Sequence, residues 1–235
     1  MCGVYRSSYS ISKRGSAQPP QNKLNRTEKT QGDIWIKSVS ASLSLPAATT
    51  FNGVTYRTIY TIRPFQYADV SSIDVLIDPL KWITSRFSDG TFGVWYGALD
   101  EETAIQESLY QSYIFAKDDL EEGNFPVPIE RKMVSADIET DASVDLRKTS
   151  QSDQLVSDVY SFCQELGKRA LKESIGMHLT PSSRKPDGTC TPVFKAECIK
   201  RDRTLYFLKF TFLSTSEVRI TKDEDTFAHI PDNWK

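Results

Sequence analysis

The sequence predicts an α+β fold, a single mixed domain of helices and strands that follows a polar N-terminal arm. The chain has 235 residues, and a typical domain size of about 150 residues accommodates it as one domain with an appendage. Its apolar share of 39% and charged share of 26% are ordinary for a globular protein. Segments with the two-residue period of strands are interspersed with segments that have the 3.6-residue period of helices.

The polar arm is predicted over residues 1–32, where Lys and Arg recur among Ser, Gln, Asn and Pro, and Glu28 is the one acidic side chain. This composition favours a loosely ordered, solvated segment. Residues 33–235 are predicted to form the domain. Over the whole chain 29 Lys and Arg stand against 31 Asp and Glu, so we expect no global basic field and no direct binding of nucleic acid.

Neither a membrane segment nor a metal site is expected. The start of the chain lacks the apolar stretch of a signal peptide, and the apolar runs are shorter than the roughly 20 residues of a membrane helix. The localisation predicted from these two observations is cytoplasmic, without membrane contact. Four cysteines without a CxxC pair and two distant histidines argue against a zinc site and a disulfide framework, and no bound cofactor is expected.

The first strands are predicted where β-branched and aromatic residues cluster, at residues 33–36 and 54–60. Residues 88–90, Ser-Asp-Gly, have the chemistry of a turn. They lead into a short strand over residues 92–96. A helix is predicted to follow directly.

This first helix has a clear N-terminal signal. Asp100 is placed to cap it, and Glu101 and Glu102 fall in the first turn, where carboxylates favour the helix dipole. One packed stripe is predicted, formed by Ile105, Leu109, Ser112 and Ala116. Glu107 lies on the flank of that stripe, where a carboxylate can face a cleft.

A long acidic loop is predicted over residues 118–141, with a strand near its end at 133–138. A second helix is predicted over residues 152–174, with Val159 and Cys163 in its apolar stripe. Gly176 is predicted to end this helix.

The last third predicts a β-hairpin. Its strands are expected at residues 193–199 and 205–213, and the polar residues 200–203 are expected to form the turn. One face of the second strand carries Tyr206, Leu208, Phe210 and Phe212.

Polar and small residues at the ends of these apolar elements form an ordered set: Arg86, Tyr96, Thr103, Ala104, Glu107, Pro181, Ser182, Ser183, Arg184, Gly188 and Phe194. This set resembles the RES domain family, named for its Arg, Glu and Ser. The resemblance covers roughly residues 54–220. Departures are Phe87, where the family usually has Trp, Ser85, where Gly is common, and Thr191, where Asn is frequent.

The resemblance implies a small bacterial toxin with a fold similar to the diphtheria-type ADP-ribosyltransferases, paired with an Xre-like helix-turn-helix antitoxin. It implies NAD as the substrate, cleaved between nicotinamide and ribose by phosphorolysis or hydrolysis. Inorganic phosphate is therefore a candidate co-substrate. Some members are reported to transfer ADP-ribose to a protein instead.

The catalytic residues expected from the resemblance are Glu107, Arg86 and Ser182. Cleavage of the bond to the pyridinium passes through an oxocarbenium-like ribose, which a carboxylate such as Glu107 can stabilise. Ser182 is expected to hold a ribose hydroxyl or a phosphate, or to position the acceptor, and not to act as a covalent nucleophile. His178 is expected to be structural.

The substrate-binding residues expected for NAD are Arg57, Arg86, Tyr96, Ser182 and Arg184. Arginine forks suit the pyrophosphate because they donate charge-assisted, bidentate hydrogen bonds. Tyr96 offers a flat face for the nicotinamide and a hydroxyl free to bond. Arg184 either binds phosphate or braces its loop.

Other interpretations place the same fold in different roles. The chain could be a protein ADP-ribosyltransferase, a secreted antibacterial effector, or an inactive RES-like module that binds a partner through its acidic loop or basic arm. A glutamine amidotransferase with Cys2 as an N-terminal nucleophile is disfavoured, because the polar stretch after Gly3 does not predict a buried strand.

Overall fold

One large sheet organises the part of the chain that the structure, a computed structural model, describes: residues 54–64 and 73–231. The strands of this sheet are β1 (Val54–Pro64), β4 (Trp95–Ala98), β5 (Val127–Thr140), β6 (Ser143–Asp145), β7 (Met177–Pro181), β8 (Thr189–Val193), β9 (Ile199–Phe212), β10 (Glu217–Lys222) and β11 (Asp225–Pro231). Their spatial order is β11-β10-β9-β5-β1-β4-β8-β7-β6. Neighbouring strands are antiparallel, except that β6 and β7 are parallel.

The remaining elements are short, apart from one long helix. A separate hairpin is formed by β2 (Thr84–Ser85) and β3 (Ser88–Asp89). The helices are α1 (Asp74–Ile77), α2 (Glu101–Glu121), α3 (Ser152–Val156) and α4 (Ser161–Lys172), with 3₁₀ turns at Pro79–Lys81 and Ala196–Cys198. None of the helices in the described ranges is long and apolar enough to cross a membrane.

This arrangement confirms the predicted class, a single mixed α+β domain with a large sheet and few helices. The predicted strand at 54–60 is confirmed as the first part of β1. The arm predicted at 1–32 and the strand predicted at 33–36 lie outside the described residues.

The two faces of β1 pack into different apolar clusters, because successive residues of a strand point to opposite faces. Tyr60 packs on the cluster that includes Leu109 of α2 and Phe210 of β9. Ile59 belongs to the cluster with Trp95 and Met177. Fully burying side chains of this size stabilises the fold by about 1.5–3 kcal/mol each, so the sheet is anchored from both sides.

Helix α2 begins and packs as predicted. The Asp100 carboxylate accepts hydrogen bonds from the Thr103 amide at 2.8 Å and the Thr103 hydroxyl at 2.7 Å. The stripe of Ile105, Leu109, Ser112 and Ala116 is buried. The cap fixes the helix start, and the stripe fixes its rotation about its own axis.

The long acidic loop predicted within residues 118–141 is wrong, whereas the strand predicted there at 133–138 is confirmed as part of β5. Helix α2 continues to Glu121 and β5 begins at Val127, so only a short connection remains between them. In β5 the acidic side chains alternate with buried ones: Glu130 is exposed and pairs with Lys209 at 3.8 Å, whereas Ile129 is buried. Strand alternation therefore accommodates these charges without a loop.

The single helix predicted at 152–174 is also wrong, because the chain leaves the helical conformation between α3 and α4. The Ser157 hydroxyl accepts a hydrogen bond from the Val159 amide at 3.0 Å, a local bond that competes with the helix pattern. Val159 is 70% exposed instead of packed, while Cys163 is buried as predicted. Helix α4 ends at Lys172, before Gly176.

The predicted hairpin near the C-terminus is corrected as well. Residues 200–203 are not a turn but part of β9, which pairs with β5 and β10. Arg203, for example, donates to the Ser135 hydroxyl at 3.1 Å. The strand predicted at 193–199 is split between β8 and a 3₁₀ turn. The predicted apolar face of the last strand, Tyr206, Leu208, Phe210 and Phe212, is buried.

His178 is a buried residue of β7, in accord with its predicted structural role. Its ring packs edge-on against Phe194 at 4.9 Å between centroids and against Phe87 at 6.1 Å. Burial lowers the pKa of the imidazole to about 3. The native protein therefore keeps this ring neutral at all moderately acidic pH values.

We expect His178 to make the native state less stable as the pH falls below about 6.5. The imidazole of the unfolded chain takes up a proton near pH 6.5, whereas the native ring does so only near pH 3. The contribution of the neutral ring to the free energy of unfolding is therefore complete above pH 6.5 and is lost as the pH falls from 6.5 towards 3. The loss between pH 7 and pH 5 amounts to about 2 kcal/mol. Urea unfolding of wild type and His178→Gln at both pH values measures it. Equal losses in the two proteins would contradict the prediction.

Candidate active site

The hairpin of β2 and β3 forms one wall of the candidate site. Ser85 pairs with Ser88, so the turn residues are Arg86 and Phe87. Ser88 and Asp89 of the turn predicted at residues 88–90 lie in β3, yet their side chains accept hydrogen bonds from the amides of Gly90 and Thr91, and Gly90 has a φ of 94°. The strand predicted at 92–96 begins only at Trp95.

Packing holds this hairpin against helix α4. Phe87 is buried in the core, and the Gln164 side chain donates to the carbonyls of Ser85 at 3.1 Å and Ser88 at 3.2 Å. Gly167 permits the close approach, since a Cβ there would lie 1.9 Å from the Phe87 carbonyl oxygen. The backbone that carries Arg86 is therefore fixed.

Tyr96 of β4 also fixes this hairpin. Its hydroxyl accepts a hydrogen bond from the Phe87 amide at 2.8 Å and lies 2.9 Å from the Ser85 Oγ. Burial raises the pKa of the Tyr96 hydroxyl above its ordinary value. The hydroxyl that we expected to be free is thus engaged, and stacking of a nicotinamide on the ring stays a prediction.

Arg86 uses its guanidinium to join three parts of the chain. Nη1 donates to the carbonyl oxygens of Leu155, at 3.1 Å, and Ser157, and Nη2 donates to the Ser183 hydroxyl at 3.0 Å. The guanidinium also lies 4.8 Å from the centre of the Tyr160 ring. The break between α3 and α4 therefore supplies both a backbone acceptor and an aromatic face for this arginine.

Glu107 projects from α2 towards the turn after β7. Its Oε1 accepts hydrogen bonds from the Ser182 hydroxyl at 2.6 Å and the Ser183 amide at 2.9 Å. Among the described residues, Oε2 has only a long contact, 3.5 Å, with the Ser183 hydroxyl. One carboxylate oxygen is thus anchored, and the other remains able to bind a ligand.

The Ser182 hydroxyl is fully used within this turn. It donates to Glu107 and accepts from the amides of Arg184 at 3.1 Å and Lys185 at 3.0 Å. A hydroxyl has one donor and two acceptor positions, so these three contacts occupy the Ser182 hydroxyl and orient it towards the carboxylate.

Gly188 lets the same turn lie directly on the start of α2. Its carbonyl accepts from the Ser182 amide at 2.8 Å. A Cβ at this position would lie 2.7 Å from the Thr103 hydroxyl and 3.0 Å from the Ser182 Cβ. The glycine in the motif is therefore explained by close packing.

Arg184 brings a second guanidinium to the site. It stacks on the Tyr110 ring at 3.3 Å from the ring centre, and Nη2 lies 2.6 Å from Oδ1 of Asp158. The same Asp158 oxygen lies 3.8 Å from Nη2 of Arg86. A single carboxylate oxygen thus bridges two arginines.

Cys190 borders the Glu107 carboxylate, with Sγ 3.6 Å from Oε1. Burial, together with the negative charge of Glu107, raises the pKa of the Cys190 thiol well above its ordinary value. The thiol therefore stays protonated and serves as a weak donor to the carboxylate.

The structure brings four of the predicted residues together: Arg86, Glu107, Ser182 and Arg184. The fifth, Tyr96, supports the Arg86 hairpin. Arg57 has its backbone in β1, and its side chain lies outside the described part of the structure.

Sequence reasoning did not assign several neighbours of this cluster: Tyr110, Asp158, Tyr160, Ser183 and Cys190. A signal existed for Ser183, which lies in the recognised motif, and for Tyr110, which is three residues after Glu107 on one helix face. Asp158 and Tyr160 carried no such signal, because their place depends on the break between α3 and α4. Within residues 54–64 and 73–231, no group of three or more His, Cys, Asp or Glu is arranged to hold a metal.

Fold and site together define an α+β domain with a Glu-Ser-Arg centre beside its sheet. The chain belongs to the RES domain family, whose model matches residues 57–212. Among solved structures, the chain is similar to one from the M. tuberculosis MbcT-MbcA toxin-antitoxin complex, with a TM-score of 0.45 and 16% sequence identity over 73% of this chain and 91% of that chain. A comparison with curated proteins gives no match.

Proposed function

We propose that this protein is an NAD-consuming toxin that cleaves the bond between nicotinamide and ribose and is normally neutralised by an antitoxin. The observation that carries the proposal is the geometry of Glu107, whose carboxylate is anchored by Ser182 and Ser183 with two arginines nearby. Membership of the RES domain family supports it.

Glu107 supplies the negative charge that the reaction requires. As nicotinamide leaves, positive charge develops on the ribose, and a fixed carboxylate stabilises that charge or binds the ribose hydroxyls. Oε1 is held by the two serines, so Oε2 is the oxygen that we assign to the sugar. Because the carboxylate is oriented before the substrate binds, little reorganisation is needed during the reaction.

Arg86 and Arg184 suit the diphosphate of NAD. Both side chains are largely buried, at 15% and 13% exposure, and both are fixed by aromatic rings. Guanidinium groups in such settings bind phosphate oxygens strongly because they are weakly hydrated and rigid. Arg57 remains part of this proposal on the resemblance alone.

The acceptor is water or inorganic phosphate, since the hydroxyl of Ser182 is already committed to Glu107 and to two amides. Water as the acceptor gives hydrolysis, and phosphate gives phosphorolysis. Transfer of ADP-ribose to a protein side chain would require the same cleavage step with a third kind of acceptor.

Turnover of NAD by the purified protein tests the proposal. Folded protein is mixed with NAD in phosphate and in phosphate-free buffer, and nicotinamide and the ADP-ribose products are separated by chromatography. We expect nicotinamide release in at least one buffer, and release that requires phosphate would select phosphorolysis. No release in either buffer, with folding verified by circular dichroism, would refute the proposal.

The toxin role has a cellular test. We propose that the protein acts on the cytoplasmic NAD pool and that its antitoxin is an Xre-like helix-turn-helix protein. Expression of the chain alone should lower cellular NAD and stop growth, and co-expression of a helix-turn-helix protein encoded beside it should restore both. Normal growth with active, soluble protein would contradict the toxin role.

A further inference from the structure

Asp158 occupies an unusual position for an exposed carboxylate. Its Oδ1 lies 2.6 Å from Nη2 of Arg184 and 3.8 Å from Nη2 of Arg86. The two cations would otherwise lie near each other without a shared anion among the described residues. Asp158 therefore supplies a negative charge at the point where the two guanidinium groups converge.

The two arginines are fixed, whereas the aspartate is not. Arg184 stacks on Tyr110, and Arg86 is held by backbone carbonyls and by Ser183. The Asp158 side chain is 63% exposed, and within the described residues its contacts are those with the two arginines. Because the Asp158 carboxylate itself faces solvent, water can replace the arginines as its partner, so the carboxylate can leave while the cations stay in place.

Asp158 also lies in the segment that interrupts the two helices. Residues 157–160 separate α3 from α4, and the neighbouring Val159 is 70% exposed. Displacement of the Asp158 side chain towards solvent thus requires no loss of core packing.

We propose that Asp158 is a placeholder anion at the position that the diphosphate of the substrate takes and that this diphosphate displaces it. This inference rests on the proposed function for the identity of the ligand. The placeholder neutralises charge between the two fixed arginines, and it weakens binding because the substrate must compete with it. Asp158 is accordingly a positioning residue that sets the affinity for the diphosphate.

The variant Asp158→Asn tests the proposal, because it preserves the shape of the side chain and removes its charge. We expect inorganic pyrophosphate to bind about fivefold more tightly, because it no longer competes with a carboxylate whose own side is solvated. The KM for NAD should fall by a similar factor, with a smaller change in kcat. A merely structural role of Asp158 predicts the opposite, weaker binding and a lower Tm.

The matched control is Asp153→Asn, which changes the net charge equally at an exposed position of α3. Pyrophosphate binding is measured by calorimetry on the full chain, in wild type and in both variants. Asp158→Ser, a second small polar replacement, serves if the asparagine variant is unstable. Binding by the Asp158 variants that is no tighter than that of the control would overturn the proposal.

Failure of the proposed function is distinguishable from failure of this inference. The calorimetric readout needs no turnover, whereas the NAD assay does. If the wild type releases no nicotinamide, the proposed function fails, and the pyrophosphate isotherms still decide the role of Asp158.

Discussion

Replacement of Glu107 by Gln is expected to lower NAD turnover about a thousandfold while the protein remains folded. Gln retains the Oε1 acceptor that Ser182 and Ser183 use, so the turn after β7 keeps its hydrogen bonds. The change removes the negative charge that the proposed function assigns to the ribose in the transition state, and loss of one such preorganised group costs about 3–4 kcal/mol.

This expectation is measured as kcat from nicotinamide release, alongside the Tm. The control is Glu121→Gln at the other end of the same helix, where the carboxylate pairs with Lys117 at 3.5 Å on the surface. We expect the control to keep kcat within about twofold, because surface pairs contribute little. Near-full activity in the Glu107 variant would remove this carboxylate from the reaction centre.

The position of Glu107 was predictable because the signals that place it are local. Asp100 caps α2, and the apolar stripe sets the rotation of the helix. Both effects act within a few turns of helix. The helical period of about 100° per residue is therefore sufficient to place Glu107 on the flank of the apolar stripe. The apolar face of β9 was predictable for the same reason, since Phe210 and Phe212 follow the two-residue period of a strand.

The charged strands were not predictable in this way. Glu130 belongs to a segment that is acidic overall, yet it lies in β5 opposite Lys209, which is distant in the sequence. Likewise, residues 200–203 form a strand because β5 supplies their partners. Partners so distant in the chain outweigh the local preference for a turn.

The break between α3 and α4 likewise depends on distant partners that a local sequence pattern does not show, and it lies at the site itself. The apolar period runs through Val159 without interruption, so the local pattern predicts one helix. The carbonyl oxygens of Leu155 and Ser157 are instead turned to Arg86. The site residues on this segment, Asp158 and Tyr160, therefore became visible only in the folded chain.

Replacement of Arg86 by Lys is expected to lower kcat/KM for NAD about 100-fold and the free energy of unfolding by about 1–2 kcal/mol. The planar guanidinium reaches the Leu155 and Ser157 carbonyls with Nη1 and the Ser183 hydroxyl with Nη2. A single ammonium cannot reproduce this fork. Lysine keeps the charge, so the variant isolates geometry from electrostatics, and the lost bonds leave partly buried acceptors unsatisfied.

Two consequences separate the roles of this arginine. Release of Ser183 loosens one of the groups around Glu107, and we expect this to lower kcat. Loss of the guanidinium that we propose to bind the diphosphate should raise KM, and we expect both changes together. Arg147→Lys is the control, since the Arg147 guanidinium pairs with Asp145 at 2.7 Å, away from these contacts. We expect this control to change neither kcat nor KM by more than about twofold, because such pairs are weak. Steady-state kinetics and urea unfolding measure the effects. Wild-type kcat/KM and stability in Arg86→Lys would show that charge alone suffices at this position, because the fork is the one property that the lysine lacks.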